Sequence, residues 1–179
     1  MATITVNETG TFPALIITTD VGNSTDANGI PFANGFLGGN LLSVTCLQDV
    51  TITNSTGIYS WTDFCSASIN KVTTPSDNEI STNIVIDPIG WFGNSSQTSN
   101  TAPYYGVSGL SENRVEVSFR VQMNDNANVT SNTVANGTYY YCGKGYISSL
   151  APTVSPEAPV WVSPLTIAVN GDMVSGRGS

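Results

Sequence analysis

A chain of 179 residues with 13 acidic and only 5 basic side chains, net charge −8, has no basic stripe to replace counterions on phosphate, which excludes nucleic acid and anionic membrane surfaces as partners. It has no histidine, so neither a His-containing zinc site nor a Ser-His or Cys-His catalytic pair can form. Only 10% of residues are charged. Asn, Ser and Thr together make up about a third, which suits short strands joined by turn-forming loops and not a disordered polyelectrolyte.

The length suits one enlarged domain with its own core over residues 1–172, followed by residues 173–179 as a disordered tail or appended remnant. No apolar run reaches the ~18 residues of a membrane span, so no insertion into a bilayer is expected. The opening MATITVNETG has neither the basic start nor the apolar stretch of a signal peptide.

Residues 3–6 alternate and read as a first edge strand. Residues 12–19, FPALIITT, read as a second, with Pro13 at its start. Residues 20–40 hold two Asn-Gly pairs and a Gly-Gly, which make this a long connection. Its acids and amides do not follow the alternate spacing of an EF-hand loop, so no calcium site is expected. In residues 41–50, LLSVTCLQDV, Leu42, Val44 and Cys46 share one face and Ser43 and Thr45 the other. Residues 58–63, IYSWTD, form a short strand after an Asn-Ser-Thr-Gly loop; residues 66–78 are polar, broken by Pro75, and read as loop. Residues 79–88 form a strand with a β-branched end, and residues 90–108 are aromatic, turn-rich loop.

Residues 114–123, RVEVSFRVQM, show the clearest alternation. Val115, Val117, Phe119, Val121 and Met123 face inward, while Glu116, Ser118, Arg120 and Gln122 face water. A connection over 124–137 leads to TYYYCGKG, where a period of two puts Tyr140 and Cys142 on one face and Tyr139 and Tyr141 on the other. Residues 147–160 read as a Pro-rich loop, and residues 161–169, WVSPLTIAV, supply the last strand. No segment shows a helical period. Eight or more short strands between turn clusters make an all-β, antiparallel β-sandwich with long loops.

Cys46, Trp61 fifteen residues later, Tyr140 two residues before Cys142, and the terminal β-run together resemble a V-type immunoglobulin-like domain over residues 41–169. The resemblance implies a Greek-key sandwich. It also implies a disulfide from Cys46 to Cys142 with Cys65 unpaired, Trp61 buried against that bridge, and Tyr140 closing a corner in the core. Asn136 stands where the family carries Asp, and the last strand lacks the Phe-Gly-x-Gly bulge. These departures point to a diverged invertebrate or viral member and away from antibody-like pairing.

The acids Asp63, Asp77, Asp87, Glu112, Glu116 and Asp125 are scattered, and no Gly-rich loop opens a helix, so neither an enzyme nor a cofactor is expected. Sequons at Asn7, Asn23, Asn54, Asn94, Asn128 and Asn136 are candidate glycosylation sites in loops or at strand ends. Tyr139, Tyr141 and Tyr146, rimmed by Tyr104 and Tyr105, are the expected partner-binding surface, because Tyr offers large contact area at small entropy cost. The leading expectation is a non-enzymatic extracellular or cell-surface recognition and adhesion module that binds a protein, a second copy of itself included. The alternative is a structural subunit of a virion surface or extracellular filament, which poverty in Lys and wealth in Asn, Ser and Thr also suit.

Overall fold

The computed structural model describes residues 13–22, 24–44, 47–62, 69–123, 131–155 and 158–179. Among them are nine strands: β1 (Ala14–Thr18), β2 (Leu42–Val44), β3 (Leu47–Trp61), β4 (Asn70–Val85), β5 (Glu116–Gln122), β6 (Tyr139–Leu150), β7 (Thr153–Ser155), β8 (Ala158–Val169) and β9 (Val174–Arg177). Every pairing is antiparallel. The all-β antiparallel class read from the alternation is therefore the class of the molecule. The strands lie on one connected path, β2-β1-β5-β6-β8-β4-β3, with β7 joined to β8 and β9 to β6, in place of the two separate sheets that the immunoglobulin resemblance implied. Only two residues separate β2 from β3, the ends of that path, and Val44 and Leu47 belong to one core cluster. Two residues span at most about 10 Å, so the sheet curls round a shared interior.

That interior is filled by the inward rows of the strands: Leu15 and Ile17, Ile80 and Ile84, Val117 and Phe119, Leu165 and Ile167, each essentially without solvent contact. Two helices close it, α1 (Pro88–Phe92) and α2 (Ala102–Glu112), through Trp91, Val107 and Leu110. Residues 90–108 were expected as loop. Residues 93–101 are indeed irregular, but 90–92 and 102–108 are helical because each helix start is pre-set: Asp87 caps α1, its carboxylate accepting from the Gly90 amide at 2.8 Å, and Pro occupies the first turn of both. Gly93 (φ 78) and Gly106 (φ 65) bring the helices into backbone contact; a Cβ at Gly106 would lie 2.2 Å from the Gly93 nitrogen.

The outer face over β1, β5 and β6 is also buried, contrary to the one-sided pattern read from residues 114–123. Ser118, Arg120 and Gln122 are all covered. The long connections fold back over them, and Phe32, Leu37 and Val134 pack on Ile16, Tyr140 and Cys142 in a second core cluster. Residues 147–160 also depart from the expected loop: β6 continues to Leu150, and β7 pairs with β8. The expected disordered tail is corrected too. Residues Val174–Arg177 are β9, paired with the start of β6, and Gly178 exchanges backbone hydrogen bonds with Gly137 and Thr138.

Candidate interaction surfaces

The segments read as two strands and two loops between residues 47 and 85 form one long hairpin, β3–β4. Beyond the paired stretch Glu79–Val85, which abuts β8, β4 has β3 as its sole strand partner among the described residues. About ten residues of ribbon therefore project, roughly 30 Å at strand rise. A bulge interrupts the ribbon where Gly57 faces Thr74 and Pro75, between the pairs Thr56–Ser76 and Ile58–Thr73. The bulge accommodates a proline that could not donate to a regular ladder. A Cβ on Gly57 would strike the Thr74 hydroxyl, so the bulge also fixes the glycine.

Trp61, expected in the core, lies near the end of this arm and is 42% exposed, stacked on Tyr59 at 5.9 Å between ring centroids. Ile58, Tyr59, Ile69 and Val72 around it are exposed as well. The misassignment has a physical cause: the Asn-Ser-Thr-Gly run before Ile58 is turn-like in isolation, yet cross-strand pairing with residues 76–78 holds it extended. An uncharged, β-branched run from Val50 to Trp61 was the signal that could have revealed it.

Cys142 is a free, buried thiol, so the expected bridge from it to Cys46 is not formed. Cys46 and Cys65 lie outside the described residues. Cys142 sits mid-sheet in the row Ser43, Ile16, Arg120, Cys142, Val174, enclosed by strands on both sides. Burial pushes its thiol up to about 12, although the Arg120 charge pulls it back in part. Arg120, wholly buried, is held by carbonyls: Nη1 donates to Gly35 at 2.8 Å and Asn132 at 2.9 Å, and Nη2 to Ser131 at 2.7 Å. Burial lowers its value to about 10, which leaves it charged at neutral pH. Arg120 is thus a clamp that ties two long connections to the sheet. Tyr140 lies in this same core, 5% exposed, and burial raises its phenol.

The tyrosine surface is only partly assembled. Tyr139 and Tyr141 do share a face, with Met123 and Arg177 beside them in an open groove of about 610 Å³. The Arg177 guanidinium lies 5.8 Å from the Tyr139 ring centre. Tyr146 points to the opposite face, because it is in register with Glu116 and Ala168 on the even side of β6. Tyr104 and Tyr105 belong to α2, half-buried and packed edge-on at 5.4 Å, and neither lines the groove.

Of the sequons, Asn136 is exposed before β6, Asn94 follows α1 and caps a turn through Ser96, and Asn54 lies within β3 and not in a loop. Asn7, Asn23 and Asn128 lie outside the described residues. Among the described residues no group of three or more His, Cys, Asp or Glu is placed to hold a metal, and no helix is long and apolar enough to cross a membrane.

No family model and no curated protein matches the chain. Solved structures similar to it include two from gene transfer agent particles. One comes from the tail of an empty gene transfer agent (GTA) particle, computed with helical refinement and C6 symmetry; it is 13% identical, covers 90% of this chain and 95% of its own, and has a TM-score of 0.54. The other comes from the virion of a native gene transfer agent particle, 12% identical, covering 76% and 88%, with a TM-score of 0.46. At this identity the first likeness is one of fold: the curled antiparallel sheet described above is also the fold of a tail protein.

Proposed function

We propose that this chain is a structural, non-enzymatic subunit of a virion or tail-like particle and assembles with copies of itself. The observation that carries this reading is the β3–β4 arm. A two-stranded ribbon alone in water is marginally stable, and this one presents Ile58, Tyr59, Trp61 and Val72 to solvent on strands with two charges, Lys71 and Asp77, over residues 54–61 and 70–78. Edge strands that stay monomeric are usually short, charged or covered; β3 is fifteen residues long and carries only Asp49. Such an arm is suited to being covered by another subunit. The full-length likeness in fold to a tail protein of a symmetric particle supports the same reading, as does the pairing of low charge with abundant Asn, Ser and Thr.

The recognition-module reading is weaker. It rested on a bridge that Cys142 does not make and on a tyrosine surface from which Tyr146, Tyr104 and Tyr105 are displaced. Sedimentation velocity of the purified chain tests the proposal. Mass that rises with concentration to species of many copies is expected, and a monomer at the highest soluble concentration contradicts it.

A further inference from the structure

We infer that Asn170 is a site of spontaneous covalent modification, at which the backbone amide of Gly171 closes a succinimide on the Asn170 side chain and water opens the ring to aspartate or isoaspartate. This chemistry holds whether or not the chain assembles.

The step is intramolecular and needs water alone. The Gly171 nitrogen gives up its proton to solvent and attacks Asn170 Cγ. A C–N bond forms, closing a five-membered ring, and the side-chain nitrogen leaves as ammonia. Water then adds to either ring carbonyl and breaks one ring C–N bond. Two conditions govern the rate: the following residue must not crowd the ring, which favours glycine, and its amide must be free of any turn or ladder that holds it away from Cγ.

The chain has four Asn-Gly pairs, beginning at Asn28, Asn34, Asn136 and Asn170. Three have their glycine amide tied: Gly29 donates to the Asp26 carbonyl at 2.9 Å, Gly35 to Phe32 at 2.9 Å and Gly137 to Gly178 at 3.0 Å. The Gly171 amide donates to no carbonyl among the described residues. Gly171 has φ 91 with nothing within 4 Å of a Cβ placed on it, and Asn170 is exposed. A free amide, open surroundings and an exposed side chain therefore coincide at Asn170.

The surroundings also make the change consequential. Asn170 Nδ2 donates to Glu116 Oε1 at 2.6 Å, tying the end of β8 to the start of β5 across β6. The product puts a carboxylate where that donor stood, so an attraction becomes a repulsion between like charges. Isoaspartate further adds a methylene to the backbone that joins β8 to β9. The Gly171 carbonyl accepts from Asn78, the residue just beyond the last β4–β8 pair, so the altered loop lies at the base of the arm.

Incubation of the purified full chain at mildly alkaline pH, followed by peptide mapping with mass detection and an isoaspartate assay, decides it. Asn170 is expected to convert at least several-fold faster than Asn28, Asn34 and Asn136, to give both aspartate and isoaspartate, and to convert faster as hydroxide rises. Gly171→Ala is expected to slow conversion several-fold, and Gly29→Ala to leave it unchanged. In denaturant the four pairs are expected to convert at similar rates. Overturning results are an Asn170 that converts no faster than the other three, aspartate without isoaspartate, or a preference for Asn170 that persists in denaturant. A cross-link from Asn170 to Lys144, whose carbonyl accepts from the Asn170 amide at 2.7 Å, would name a different nucleophile and overturn it as well.

Discussion

Arg120 and Cys142 are register partners across β5 and β6 and point to the same buried face, where the guanidinium reaches past the thiol to three loop carbonyls. One charged side chain thereby fastens the connections around Gly35 and around residues 131–132 to the sheet. Arg120→Met keeps the apolar stem but leaves those carbonyls unpaired. It is expected to cost about 3–5 kcal/mol in denaturant unfolding with an unchanged m-value. Arg120→Lys recovers only part of this, because an ammonium lacks the planar fork. A loss below about 1 kcal/mol for Met contradicts the clamp.

The thiol of Cys142 gives the alkaline limb of stability a definite sign. Its folded value is raised to about 12 from an ordinary 9.0. Above pH 9 the unfolded chain releases a proton that the folded chain keeps, so this contribution is full below pH 9 and is lost as pH rises toward 12. Arg120 acts in the opposite direction, but only above about 10. Stability measured from pH 8 to 10 is expected to fall, and Cys142→Ala is expected to flatten that fall. An identical slope in the variant counts against it. Peptide mapping should also find Cys142 unmodified by a thiol reagent until the protein is unfolded.

Trp61→Ala separates the arm from the core. A core tryptophan costs about 3–5 kcal/mol on truncation. At 42% exposure near the end of the arm, Trp61 is expected to cost the unassembled chain less than about 1 kcal/mol. A large loss of monomer stability would return Trp61 to the core.

Gly106 is where the two helices touch. With φ at 65 and a Cβ that would meet Gly93 backbone at 2.2 Å, Gly106→Ala is expected to cost about 2–4 kcal/mol. Gly171→Ala, also at positive φ but with open space around it, is expected to cost only about 1 kcal/mol. Equal losses at both positions contradict the close-contact argument.

Much of the sheet was legible in the alternation. In the Tyr139–Leu150 strand Tyr140 and Cys142 are buried and Tyr139 is exposed, but the alternation stops there, since Gly143, Gly145 and Ile147 on the other row are buried and Tyr146 is exposed. Alternation cannot say what covers the polar side of a strand. That is why Ser118 and Arg120 read as solvent-facing, although the residue 20–40 connection buries them. The helices escaped notice because one has five residues and the other is broken at Gly106, so neither carries an apolar stripe. Their Asp-Pro and Thr-Ala-Pro starts were the available signal. The tetrad Cys46, Trp61, Tyr140 and Cys142 misled for a different reason: spacing along the chain does not fix distance in space. Trp61 is carried away from Cys142 by a hairpin whose middle looks like a turn. The arm itself, the centre of the functional reading, depended on cross-strand pairing over thirty residues and could not be read from either strand alone.

Hydrogen–deuterium exchange, compared between dilute unassembled protein and assembled protein, tests the central claim most directly. Amides of residues 54–61 and 70–78 belong to a ribbon open on both edges and are expected to exchange fast in the monomer and become strongly protected on assembly. Assembly that leaves these amides unprotected while others gain protection, such as those around Tyr139 and Tyr141, would contradict the arm as the element that joins the subunits.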